Sequence, residues 1–444
     1  MVDLRQIFKA YDIRGVYPDQ IDEPIAARIG AAFASVTGAD SVVIGRDMRV
    51  SSEPLGDAFK AGVTSQGSGV IDIGLVSTDA LYFAAGHLDM PGAMITASHN
   101  PAKYNGIKLC LAGAAPVGEE TGLRDIRRLA EEGLAPSPSP GSVTEQDIIS
   151  RFVDHCLGVV DVSALRPLKV VVDAANGMAG KIVPPVFEGL PVELIALYFE
   201  LDGTFPNHPA DPIQETNLAD LIAAIKENQA DLGLAFDGDA DRAFLVDELG
   251  QPASGSLVTA LVAAEILAAD PGASIVYNLI CSRVVPETIA EHGGKPIRSR
   301  VGHSFIKQVM AETGAAFGGE HSGHYYFRAN FRADSGILCA LNVLRALSRQ
   351  EAPMSEVLRP LRRYWNSGEL NTHVEDQQGA LRRLAEAFPD RLPDWTDGLT
   401  IEYPAWWFNA RGSNTEPLLR LNVEAEKADL GRAKTEYLLE LIRG

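Results

Sequence analysis

The 444-residue chain is poor in cysteine, with Cys110, Cys156, Cys281 and Cys339 only. None forms a CxxC pair and each sits among apolar residues. That argues against a disulfide framework or a thiolate metal cluster, and for small buried hydrophobes in a reducing compartment. Basic residues are also scarce: 39 Lys and Arg against 59 Asp and Glu, a formal charge of −20. Nucleic-acid binding needs a basic surface to displace counterions, and anionic membranes attract basic segments, so both are disfavoured as partners. A phosphate-bearing substrate would need a local cluster of Arg and Lys against this acidic background. Long hydrophobic runs are missing too. The longest, "LVTALVAAEILAA" at 257–269, is interrupted by Glu265 and is too short for a bilayer. The first residues, "MVDLRQIFKAYDIRG", lack the apolar core of a signal peptide. The expectation is a soluble cytoplasmic protein.

What is present is an alternation of strand and helix. "SVVIGRD", "LKVVVDAANG" and "ASIVYNLICS" are β-rich runs, each followed by helix-compatible sequence. Such a pattern predicts α/β units with buried, mainly parallel strands. A weak internal rhyme accompanies it. Each opening unit is followed by a further strand running into a polar loop: "GAMITASHNP", then "ADLGLAFDGDADRAFLVD", then "GAAFGGEHSGHYYF". The reading is three related α/β domains with mixed sheets, at 1–150, 151–250 and 251–365. An α+β domain follows at 366–444, read as helix, two or three strands and a last helix. "EEGLAPSPSPGSV" is a linker or exposed turn. The helix after it is expected to take Thr144 as its cap, with Asp147 three residues on.

The richest segment is "AFDGDADRAFLVDE". Asp237, Asp239 and Asp241 repel one another unless a cation sits among them, and all-oxygen ligands suit a hard ion such as magnesium. An EF-hand calcium loop is the specific rival, since Glu248 falls at position twelve from Asp237. Position six should then be Gly but is Arg242, and the flanks are strand-like. A solvated acidic turn is the bland alternative. The adjoining Arg242 suits a site that holds phosphate.

Three other loops carry polar chemistry. "ARGSNTEPLLRL" offers Arg411, Ser413, Asn414 and Thr415, a phosphate cradle or simply a polar hairpin. "GGEHSGHYYF" offers Glu320, His321, Ser322 and His324 without metalloprotease spacing; Glu320 and Ser322 suit sugar hydroxyls. In "SRVGHSFIKQVM", His303 precedes a predicted helix with Ser304 as cap, a place where a histidine stays neutral and can act as a base. "TASHNPAKYNGIKL" holds Ser98, Lys103, Asn105 and Lys108. Neighbouring side chains in an extended chain point oppositely, so His99 is expected to face away from Ser98. A carboxylate triad, an arginine-led loop and a serine with nearby lysines together fit phosphoryl transfer to and from the serine.

"TASHNP", "DGDADR", "GEHSGH" and "RGSNTEP", in this order, resemble the α-D-phosphohexomutase superfamily, and "FKAYDIRG" resembles its phosphomannomutase/phosphoglucomutase branch. The resemblance spans essentially the whole chain and implies four domains around a central cleft. It implies that Ser98 carries the phosphoryl group and that Asp237, Asp239 and Asp241 bind Mg2+ with the phosphoserine as a further ligand. Glu320, Ser322 and His324 would bind the sugar, and Arg411, Ser413, Asn414 and Thr415 the phosphate that is not reacting. Arg14, Lys108, Arg242 and His303 would line the cleft, Lys108 and His303 as proton-transfer candidates. His99 would touch the phosphate on Ser98. Some relatives carry a lysine where this chain has Ile280, and Arg283 is the candidate to take over its contact. The implied substrate is a small phosphosugar, with a hexose 1,6-bisphosphate as activator, on a monomer or weak homodimer. "GEHS" rather than "GEES" tilts the reading toward mannose: mannose 6-phosphate to mannose 1-phosphate, for GDP-mannose synthesis. The alternatives are a dual phosphomannomutase/phosphoglucomutase or a phosphoglucomutase, or, in another class, a non-catalytic phosphosugar- or calcium-binding protein.

Overall fold

Val42, Val43 and Ile44, then Val170, Val171 and Val172, then Ile275 and Val276 are all buried. β-Branched runs buried on both faces belong at the centre of covered parallel sheets. In the computed structural model, which describes residues 4–9, 11–412 and 418–444, each run does lie inside its own sheet. Ser41–Arg46 is parallel to Gly69–Leu75 on one side and to Gly92–Ile95 on the other. Leu168–Asp173 lies likewise between Val192–Leu197 and Leu232–Phe236, and Ser274–Asn278 between Lys295–Ser299 and Phe317–Gly319.

In all three sheets an antiparallel strand follows the last parallel one: Tyr104–Leu111, Ala243–Asp247 and Tyr325–Phe327. The turns between them, at 96–103, 237–242 and 320–324, carry the three polar motifs. The internal rhyme is therefore one device used three times: a hairpin loop at the carboxyl end of a parallel strand, where α/β sheets place their ligands.

The fourth sheet is wholly antiparallel, in the order Trp365–His373, Leu418–Ala425, Trp406–Gly412, Leu399–Tyr403, with helices Gln377–Glu386 and Ala428–Arg443. It opens with a strand where the sequence suggested a helix first. "WNSGELNTH" is polar, half-exposed and broken by a bulge between Asn366 and Glu369, so it lacks a clean period-two pattern. Thr144 is also corrected. It lies in the exposed edge strand Val143–Glu145, and Asp147 Oδ1 instead accepts from Ile149 N (2.8 Å) at the start of helix Ile149–Val159.

One buried core runs through the first three domains, from Val43 through Phe152, Phe236 and Phe317 to Leu361. The fourth domain has its own, built on Leu384, Leu399, Phe408, Leu421 and Ile442. All four cysteines are buried thiols. Among the described residues, no helix is long and apolar enough to cross a membrane.

Candidate active site

Ser98 stands early in the turn after strand Gly92–Ile95, its amide bonded to Thr96 Oγ1 at 2.9 Å. Its φ is +51°, a left-handed conformation. The chain therefore reverses there, and His99 does not face away: its Nδ1 lies 3.2 Å from Ser98 Oγ. The expectation failed because it assumed extended backbone. Ser98 Oγ donates to Asp237 Oδ2 (2.8 Å) and faces Arg242 Nη2 at 3.3 Å. The two loops meet closely, since a Cβ on Gly238 would stand 2.5 Å from Ser98 O. Only glycine permits that approach.

Asp237 also accepts from Arg242 Nε (2.8 Å) and Arg242 N (3.2 Å). Burial pushes its carboxyl up to about 7, against the pull of Arg242. Asp239 and Asp241 share Lys108 Nζ, at 2.7 and 2.5 Å. Desolvation acts to lower the lysine pKa, but Asp239 and Asp241 override it and hold the ammonium charged well above its ordinary range. Asp239 Oδ1 and Asp241 Oδ1 are buried without a hydrogen-bond partner among the described residues. One oxygen from each of the three aspartates lies within 4.8 Å of the others. Converging carboxylates with unpartnered buried oxygens fit a hard divalent cation. The flanks of this loop are strands, and Glu248 is turned away to accept from Ser355, which leaves the EF-hand reading without its helices or its last ligand.

Beside these groups opens a cleft of about 140 Å³. It brings together Arg14, Ser98, His99, Lys108, Asp241, Arg242, His303 and His324. Arg14 is oriented by Asn100 Oδ1 (2.6 Å) and Asp12. His303 is the first residue of helix His303–Thr313, so Ser304 lies inside the helix and does not cap it. Desolvation, with Lys307 nearby, pulls the His303 imidazole down to about 4. Glu320 accepts from Asn278 Nδ2 (3.0 Å), Gly302 N (3.1 Å) and Tyr326 OH (2.6 Å). Burial acts to raise it, but His324 and these donors keep it below its ordinary value. Ser322 Oγ lies 3.0 Å from His324 Nδ1.

Arg411 sits in the fourth domain, paired with Glu369 at 2.8 Å. Ser413, Asn414 and Thr415 lie outside the described residues. Arg283 is not among the residues lining the cleft. Its guanidinium donates to Tyr403 O (2.6 Å) and Pro404 O (2.7 Å), so it fastens the third domain to the fourth and does not replace a lysine at position 280.

Comparison with known proteins accounts for this arrangement. Models of phosphoglucomutase/phosphomannomutase α/β/α domains I, II and III match residues 5–135, 150–250 and 254–364. The phosphomannomutase of Escherichia coli is 40% identical, over 98% of this chain and 99% of its own. The chain belongs to the phosphoglucomutase/phosphomannomutase family. The phosphoglucomutase of Neisseria meningitidis serogroup A is 37% identical over 98% of this chain and 96% of its own. The crystal structure of a phosphoglucomutase/phosphomannomutase family protein from Burkholderia thailandensis superposes with a TM-score of 0.91 at 33% identity, covering 100% of this chain and 98% of that one. The protein is thus a phosphohexomutase, an intramolecular phosphotransferase of a metal-dependent family.

Two groups of this phosphohexomutase site escaped the sequence reading. Arg49 holds the serine loop from below, donating to Ser98 O and Asn100 O, both at 2.7 Å. Asp334 lines the cleft and pairs with Lys307 at 2.8 Å. With Asp241 and His324 it forms a second group of converging donors. Arg49 stands two residues past the strand motif "GRD", and Asp334 follows an unremarkable loop. Neither carries a local signal that separates it from a surface charge.

Proposed function

We propose that this phosphohexomutase interconverts mannose 6-phosphate and mannose 1-phosphate, through phospho-Ser98 and a mannose 1,6-bisphosphate, and so supplies mannose 1-phosphate for GDP-mannose synthesis. The observation that carries the reading is the setting of Ser98 Oγ, bonded to Asp237 and faced by Arg242 and His99 at the mouth of a cleft that also holds Lys108 and His303. The P–O bond to Ser98 Oγ breaks as a new one forms to the free sugar hydroxyl. The hydroxyl proton goes to a base, and Ser98 Oγ regains a proton from an acid. Lys108 and His303, which both line the cleft, are the proton-transfer pair of this route. The bisphosphate then turns over, and its other phosphoryl group returns to Ser98 by the same exchange. Arg14 and Arg242 meet the transferring phosphate, and His99 flanks it. Glu320, Ser322 and His324 orient the sugar hydroxyls. Arg411, with Ser413, Asn414 and Thr415, receives the distal phosphate in both orientations. Mg2+ bound by Asp237, Asp239 and Asp241, with the phosphoserine as a further ligand, would neutralise charge on the transferring group. Holding donor and acceptor in one site supplies an effective concentration on the order of 10⁵ M or more.

A glucose-phosphate substrate is the second reading, favoured by the relative named phosphoglucomutase. Two measurements test the sugar assignment and the phosphoserine route in turn. Turnover of mannose, glucose and glucosamine 1-phosphates, each with Mg2+ and its own 1,6-bisphosphate as activator, should be fastest with mannose; a clear preference for another sugar overturns the assignment. Ser98→Ala should reduce turnover by at least 10³-fold with an unchanged melting temperature, and should take up no phosphate by intact mass. Wild-type activity in that variant would sink the phosphoserine route.

A further inference from the structure

Asp239 is tied to the first domain by main chain and side chain together. Thr78 N donates to Asp239 O at 3.0 Å, and Thr78 Oγ1 donates to Asp239 Oδ2 at 2.5 Å. Lys108 Nζ reaches the same Oδ2 at 2.7 Å. Thr78 and Asp239 are both fully buried. The carboxylate thus has two donors on one oxygen, while the other, Oδ1, is buried and has no hydrogen-bond partner among the described residues. Held this way, it cannot rotate without breaking two bonds, and its free oxygen converges with Asp237 and Asp241.

Thr78 is itself immobilised. It is the first residue of helix Thr78–His87, whose cap, Ser77, accepts from Ala80 N. The next residue, Asp79, is buried and accepts from Ser335 Oγ (2.7 Å), the cap of helix Gly336–Ser348 in the third domain. This first turn therefore touches the metal loop of the second domain on one side and the third domain on the other. The β-branched side chain of Thr78 has restricted χ1 freedom, and the bond to Asp239 fixes the rotamer.

We propose that Thr78 is a positioning residue that sets the Asp239 carboxylate to receive the divalent cation. It touches neither substrate nor cation, and the inference rests on reading Asp237, Asp239 and Asp241 as the metal site. Groups that orient metal ligands from behind typically contribute 10- to 100-fold in metal affinity. Thr78→Val removes the hydroxyl at nearly constant shape; Thr78→Ser keeps it.

The test titrates full-length protein with Mn2+, followed by the electron paramagnetic resonance of the free ion. Each variant is first shown by intact mass to carry no phosphate on Ser98. Mn2+ suits the same oxygen ligands as Mg2+. Thr78→Val should bind about 10- to 100-fold more weakly than wild type, and Thr78→Ser within about threefold. Wild-type affinity in a Thr78→Val protein with a wild-type melting temperature would overturn the proposal. Equal losses in the Val and Ser variants would also overturn it, since the hydroxyl would not be the determinant. A wild-type protein that binds no Mn2+ would overturn the metal reading itself, and the role of Thr78 with it.

Discussion

Arg49 sends every guanidinium hydrogen into the protein. Nε meets Asp47 Oδ2 (3.2 Å), Nη1 meets Pro101 O and Tyr104 O (3.0 and 3.1 Å), and Nη2 meets Ser98 O and Asn100 O (both 2.7 Å). The Phe205 ring covers the group at 5.0 Å. Three carbonyls of the serine loop and that of Tyr104, at the start of the next strand, thus converge on one planar cation, which explains how Ser98 keeps its left-handed backbone. A lysine retains the charge but has three donors and no fork. Arg49→Lys should therefore destabilise the protein by about 3 kcal/mol, chiefly through orphaned buried acceptors. Urea unfolding measures this. An unchanged midpoint would show that the loop holds its own shape.

At the level of elements, the site depends on three hairpin loops and the distance between them, with Arg14 and Lys108 added from strands and His303 from a helix. A methyl at position 238 would meet Ser98 O at 2.5 Å, and one at position 177 would meet Gly238 O at 2.7 Å. Gly238→Ala must push the serine and aspartate loops about 1 Å apart, a displacement that can lower turnover by about 100-fold. Gly158→Ala is the contrast. It lies in helix Ile149–Val159 with no atom within 4 Å of the added Cβ, and should stabilise by about 0.5–1 kcal/mol without touching turnover. Steady-state rates and thermal melts of the two variants test this; a Gly238→Ala enzyme with wild-type rates would contradict it.

The same packing shows what the sequence could and could not reveal. The loops were legible because each is a contiguous run of polar residues after a buried strand. Which loop faces which was not legible from spacing: Ser98 and Asp237 are 139 residues apart, and Thr78 and Asp239 are 161 apart. His99 was misread because the left-handed turn at Ser98 leaves no mark in "TASHNP". Arg283 was misassigned because a basic residue beside a cleft motif looks the same whether it faces phosphate or a neighbouring domain's carbonyls.

Over the whole molecule, the buried apolar residues form several clusters, of which one spans the first three domains and another belongs to the fourth alone. The first three domains share a continuous core, whereas the fourth closes around its own. The contacts joining the third and fourth domains include polar ties: Arg283 to Tyr403 O and Pro404 O, Arg298 to Glu402 at 2.9 Å, and Arg283 N to Glu424 Oε1 at 3.0 Å. A small unit with its own core and polar ties to its neighbour should unfold apart from the rest. The chain contains its own reporter for this. All four tryptophans belong to the fourth domain, Trp365 as the first residue of its opening strand, with Trp395, Trp406 and Trp407 after it. Tryptophan fluorescence therefore follows that domain alone, while far-UV circular dichroism follows mainly the other three. Non-coincident transitions are the signature of departure from two-state unfolding. The fluorescence midpoint in urea should fall below the dichroism midpoint. Arg283→Ala should lower the first while leaving the second in place, because it removes ties between domains and nothing inside either core. Coincident midpoints in both wild type and Arg283→Ala would mean that the two cores unfold as one, and that the polar interface couples them more strongly than its contacts suggest.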